Sequence, residues 1–149
     1  MKLGLAIAAV VIVLALIALL ALRKRRPDPM VARALFPVQR PALEAEFFEA
    51  ASRSGKPRGL RWVRCEFGEG LELARDKTTG ELIGLLPVTI AFEAIPGSDM
   101  EGLPAVGNLR YASAVFTFAN GKWTTAGRAV FNMNPAEALR HFAKVYEPV

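Results

Sequence analysis

At 149 residues the chain has room for one domain and one appended segment. Its net charge of +5 is carried by Lys2 and the cluster Arg23-Lys24-Arg25-Arg26, while fourteen Lys/Arg and fourteen Asp/Glu balance from Pro27 onward. A neutral body has no basic face with which to displace counterions from phosphates, which argues against a nucleic-acid partner, and a single Cys and a single His exclude an intramolecular disulfide and a classical zinc site.

Leu3 to Leu22 reads LGLAIAAVVIVLALIALLAL, without a charged or polar side chain. As a helix, about twenty residues at 1.5 Å each span roughly 30 Å, the thickness of a hydrocarbon core. A cleaved signal peptide has a shorter apolar run, basic charge before it and a small-x-small site after it. Here the run is longer and the stronger charge follows it, so an uncleaved single-pass signal anchor is expected. Arg23, Lys24, Arg25 and Arg26 are then placed to meet anionic headgroups, at about 1 kcal/mol for each cation near the surface. The excess of cations after the span predicts a cytoplasmic C-terminal domain, with the exported side as the alternative. Gly4, Ala8, Ala15 and Ala18 form a stripe of small side chains, the pattern that lets two membrane helices approach closely.

Four prolines between 27 and 41 predict a stiff spacer over 27–40 with at most one helical turn. Pro41 to Arg53 reads as an amphipathic helix, with proline at its first position, Leu43, Phe47 and Ala50 on one stripe, and Gly55 as its stop. The period then changes to two. Leu60–Phe67 and Leu71–Arg75 flank Gly68-Glu69-Gly70, an expected hairpin, and Lys77-Thr78-Thr79-Gly80 is the next turn. Alternation places Arg61 and Arg64 on opposite faces and Cys65 toward the core. Leu82–Glu93 is a long apolar strand in which Pro87 predicts a bulge or an edge. The loop 94–108 is long enough to suggest function.

Asn120-Gly121 marks a tight hairpin. It pairs Phe118 with Trp123, Phe116 with Thr125, Ala114 with Gly127 and Ala112 with Ala129, a small-residue face that a helix could approach closely. Thr117/Thr124, Val115/Ala126, Ser113/Arg128 and Tyr111/Val130 make the opposite, wetter face. Asn134-Pro135-Ala136-Glu137 opens a terminal helix with a capping box and a stripe of Leu139, Phe142, Ala143 and Tyr146.

These readings give an α+β chain: residues 1–26 an anchor with its basic flank, 27–40 a spacer, and 41–149 a soluble domain. The domain is expected to hold a curved antiparallel sheet of about five strands, one helix before it and one after, with one or both helices on one face. The layout resembles cystatin-like and nuclear-transport-factor-2-like architectures, as a fold-level analogy alone.

His141 and Cys65 lack sequence partners, the carboxylates gather around turns, and neither a phosphate loop nor a dinucleotide fingerprint is present. No catalytic, cofactor-binding or metal-binding set is identified. The candidate interaction surfaces are Tyr111, Ser113, Thr117, Thr124 and Arg128, and, in the loop, Met100, Glu101 and Leu103. The expected function is a membrane-tethered, non-enzymatic interaction or scaffold domain, with the bilayer, a membrane protein or a second copy as partner. One alternative is a small-ligand binder or enzyme using a concave sheet pocket. Another is an envelope-polymer binder, if the domain is exported. If the stripe on the anchor drives pairing, Gly4→Ile with Ala8→Ile lowers the signal in a membrane two-hybrid assay, and an unchanged signal rejects pairing.

Overall fold

The computed structural model describes residues 2–21 and 26–149. Helix α1 (Lys2–Ala21) covers the apolar run. Its described side chains, Gly4 and Ala6 through Ala18, are exposed, and Ile7, Val10, Val11, Ile12, Leu14 and Ile17 are each more than half exposed. Among the described residues no helix is long and apolar enough to cross a membrane. The expected single-pass span therefore has no support from them. That span runs on to Leu22, and Leu22, Arg23, Lys24 and Arg25 lie outside the described residues.

The expected spacer is helical. Helix α2 runs unbroken over Pro29–Arg53, with Pro37 and Pro41 inside it. It starts where the Asp28 carboxylate accepts the Met30 amide at 2.8 Å and Pro29 supplies a preset φ. An internal proline removes one helical hydrogen bond and costs roughly 3 kcal/mol. Two circumstances offset that cost here. Pro37 and Pro41 lie four residues apart on the exposed side, and the opposite side buries Ala32 and Phe36 in line with Leu43, Phe47 and Ala51. Each large side chain buried this way contributes about 1.5–3 kcal/mol, so packing overrides the local preference.

The sheet is antiparallel and built on β3 (Leu82–Ala94). On one side of β3 lies β4 (Arg110–Ala119). On the other lie β1 (Leu60–Phe67) and β2 (Glu72–Asp76), end to end. Both run antiparallel to β3 and hence in the same direction, so the hairpin expected at Gly68-Glu69-Gly70 does not form. Pro87 provides the physical reason. Its carbonyl accepts the Gly68 amide at 2.8 Å, so the side on which proline has no donor faces the junction where β1 ends and β2 has not begun. The hairpin joining β2 to β3 forms as expected, with Arg75 opposite Leu82.

The register of β1 on β3 shifts between Trp62 and Arg64, which leaves Val63 bulged and half exposed. The bulge changes the alternation. Arg61 and Arg64 therefore share the outer face, where they pair with Glu93 and Glu66. Trp62, Cys65 and Phe67 face the core.

Asn120 and Gly121 both take positive φ, and the hairpin from β4 to β5 (Lys122–Thr124) pairs Phe118 with Trp123 as expected. Beyond Thr124 the register slips by two. Strand β6 (Ala129–Phe131) pairs Ala114 with Ala129 and Ala112 with Phe131, not Ala114 with Gly127 and Ala112 with Ala129. Residues 125–128 leave the ladder, held by the Thr125 hydroxyl on the Val115 carbonyl at 3.0 Å. The excursion puts Gly127, at φ +73°, against the end of α2, where a Cβ would lie 2.3 Å from the Ala51 nitrogen. The expected close approach of a helix thus occurs at Gly127, through a bulge.

The helices cover opposite faces, not one. Helix α2 packs its stripe on Leu86, Val88, Phe116, Phe118 and Trp123. Helix α3 (Pro135–His141), with both capping-box bonds present, packs Ala138 and Leu139 on Ile83, Leu85 and Val115 of the other face. It ends at His141, and the chain returns as β7 (Tyr146–Pro148), pairing with β2. Tyr146, expected on the helix stripe, is buried from this strand. Among the described residues the sheet therefore has seven strands.

Gly127→Ala combines a disfavoured φ with a backbone clash, and is expected to destabilise the domain by at least about 2 kcal/mol in thermal or urea unfolding. Gly97, also at positive φ but with nothing within 4 Å of the added Cβ, serves as the reference and should lose about 1 kcal/mol as Gly97→Ala. Equal losses at the two positions would refute a close helix approach.

Candidate interaction surface

Because α3 covers only one end of its face, a groove of about 700 Å³ stays open beside it on the outer face of the sheet. Glu66 and Gly68 form one wall, Pro87, Thr89 and Tyr111 the floor, and Asn134 part of the far wall. Thr89 stands opposite Tyr111 in the β3–β4 ladder. The Tyr111 side chain is 71% exposed, while its carbonyl accepts the Asn132 amide at 2.9 Å. Asn132 takes φ +60°, and this turns the chain from β6 toward the α3 cap.

Both carboxylates along the groove already have partners. Glu66 pairs with Arg64 at 3.0 Å, and Glu137 accepts the Asn134 amide at 2.9 Å within the capping box. An exposed aromatic, a proline and paired carboxylates at the rim suit contact with another surface.

Of the five residues expected on one wet face, Tyr111, Ser113 and Thr117 alternate along β4 and Thr124 stands opposite Thr117, but their exposure differs. Tyr111 alone reaches the groove. Ser113 is fully buried, its hydroxyl donating to the Met133 carbonyl at 2.8 Å. Thr117 and Thr124 pair near the hairpin turn. Arg128 lies in the bulge, donating to the Tyr146 hydroxyl at 3.4 Å and stacking 5.8 Å from the Phe142 ring centroid. The expected neighbours Ser113/Arg128 and Tyr111/Val130 are replaced by Ser113 opposite Val130. In the loop, Met100 packs against Gly59 and the Glu101 carboxylate accepts the Gly97 amide at 2.7 Å. Leu103 remains half exposed, just ahead of a short 3-10 turn at Pro104–Gly107. Gly4, Ala8, Ala15 and Ala18 are exposed along α1, and Arg26 is exposed ahead of α2.

Arg40 is a junction that the sequence did not signal. Its guanidinium binds Glu44 at 2.6 Å, Glu69 at 2.9 Å and the Gly68 carbonyl at 3.0 Å, tying the β1–β2 link to α2. The hydrogen bond to Glu44 does most to raise its pKa, against the opposing effect of burial. Arg40 falls in the stretch expected as a spacer, far in sequence from Glu69, so no local pattern joins the two.

Cys65 lies among core residues, and burial pushes its thiol up to about 12. His141 is exposed, with the Phe142 ring set edge-on at 4.8 Å. Among the described residues no cluster of three His, Cys, Asp or Glu could hold a metal ion. No protein-family model, curated protein or solved structure matches this chain.

The Cys65 thiol stays protonated in the fold at a pH where an unfolded cysteine, near 9.0, ionises. Its contribution to stability is intact below pH 9 and is lost as the pH rises toward 12. The urea midpoint should therefore fall more steeply above pH 9 in the natural chain than in Cys65→Ala. Parallel pH profiles for the two proteins would contradict this. Alkylation at neutral pH should be slow in the fold and fast in urea.

Proposed function

We propose that this chain is a membrane-tethered, non-enzymatic interaction or scaffold domain, held by the apolar segment Leu3–Leu22 and presenting the outer sheet face to a partner. The observation that carries the reading is the contrast between α1 and the rest of the chain. The domain fills two cores with its own side chains, whereas Val10, Val11, Ile12 and Leu14 of α1 stay exposed. A helix apolar on every side needs lipid or another protein around it, since each exposed Val, Leu or Ile forgoes about 1.5–3 kcal/mol of burial. The adjacent cations favour a cytoplasmic domain. With the opposite orientation the same surface would face the envelope, where a polymer becomes the natural ligand.

The ligand-binding or enzymatic alternative needs Tyr111 beside Arg128, or a buried carboxylate in a deep pocket. Arg128 instead braces Tyr146 and Phe142, and the carboxylates of the groove are exposed. This favours a contact surface over a reaction chamber.

Alkaline carbonate extraction tests the tether. The natural chain should stay with the membrane pellet, and Val11→Lys with Ala15→Lys should move to the supernatant. Release of the natural chain would reject the tether. Photocrosslinkers at Tyr111 and Leu103 should capture a protein partner in native membranes, and Thr78, at an exposed turn, should not. Equal capture from all three sites would reject the assigned surface. Protease digestion of a C-terminal tag in spheroplasts with intact membranes would reject the cytoplasmic side.

A further inference from the structure

We propose that the outward face of the first half of α2 lies on the membrane surface, so that the domain is seated on the bilayer. This rests on the tether proposed above. The inward stripe of α2, from Ala32 and Phe36 to Phe47, is buried in the core. The outward side of the same turns is apolar as well. Met30 is 79% exposed and Val38 78%, and Ala34, Pro37, Pro41 and Ala42 beside them are exposed. A helix apolar on both sides over this stretch is covered on both, and the sheet covers only one.

Position and charge identify the bilayer as the other cover. No acidic residue occurs between Asp28 and Glu44, while Arg26 and Arg33 are exposed at this end. Farther along the helix, exposed Glu46, Glu49 and Arg53 replace the apolar residues. The large exposed apolar side chains of α2, Met30, Val31 and Val38, thus all lie in the half nearest the tether. Only positions 23–28 separate Leu22 from Pro29. At no more than about 3.5 Å per residue, the start of α2 stays within roughly 25 Å of the end of the apolar segment. An apolar helical face flanked by Arg26 and by Arg33, whose guanidinium also donates to the Leu71 carbonyl, and held so close to anionic headgroups matches the chemistry of an interfacial helix.

The test uses the full chain, in a Cys65→Ala background, reconstituted in vesicles of phosphatidylcholine and phosphatidylglycerol. Single cysteines at Met30→Cys, Val38→Cys, Glu49→Cys and Val11→Cys carry an environment-sensitive fluorophore. Nitroxide lipids report contact with the bilayer. All four positions are exposed, so the substitutions leave the core intact. Labels at 30 and 38 are expected to shift to the blue and lose emission to nitroxides at headgroup level, while the label at 49 keeps its emission. The label at 11 should be quenched by nitroxides deep in the acyl chains. Quenching at 11 with none at 30 and 38 overturns the seating and leaves the tether intact. A blue shift at 30 and 38 without quenching assigns the face to a protein or a second copy, and also overturns the seating. An unquenched label at 11 overturns the tether, and the seating with it.

Discussion

The indole of Trp123 is the contact on which the rest of the domain depends. Its Nε1 donates to the Ala32 carbonyl at 2.9 Å, a buried bond between residues 91 apart in sequence. Its backbone amide donates to the Gln39 side chain at 3.1 Å. The ring meets Phe36 edge-on at 5.2 Å and tilts on Phe118 at the same distance. It sits over Gly84, where any Cβ would come within 2.8 Å of it. A hairpin residue thus grips the proline-containing half of α2 at Ala32, Phe36 and Gln39. Without that grip, the residues around Pro37 would have little reason to stay helical.

Holding the first half of α2 on the sheet fixes which side faces the core and turns Met30 and Val38 outward. At the other end of the same helix, Gly127 lets the backbone of α2 come against the bulge after β5. The helix is therefore fixed at two points, and its outward face has a defined direction. On the far side of the sheet, α3 covers Ile83, Leu85 and Val115 and leaves Tyr111 uncovered. In the proposed reading one side of the domain meets lipid and the groove meets a partner.

Local signals were legible where one residue type answers a backbone need. Asn120-Gly121 marked its hairpin because both positions take positive φ. Asn134 and Glu137 marked the start of α3 because their side chains close a capping box. Pro87 flagged an irregular strand, although not that its missing donor would divide a neighbouring strand in two. Of the candidate surface, Tyr111 was found from strand alternation, but its companions were not. Thr125–Arg128 leave the ladder and shift the register by two, and alternation cannot register residues that no longer pair. Arg61 and Arg64 were separated for the related reason that a single bulged residue, Val63, reverses the faces.

Taken alone, the sequence determined the apolar N-terminal run and its basic flank, the neutrality of the remaining chain, the α+β alternation of periods, and the turns and caps that depend on adjacent residues. These are properties of composition and short range, and they hold wherever the elements come to lie. Tertiary structure decided that the proline-rich stretch is helical, that β1 and β2 share an edge, and that the two helices take opposite faces of the sheet. It also decided which exposed side chains are neighbours. Each of those outcomes rests on long-range contacts, Trp123 to Ala32, Gly68 to Pro87 and Gly127 to Ala51, whose packing outweighs local preference by amounts that no short window of sequence contains.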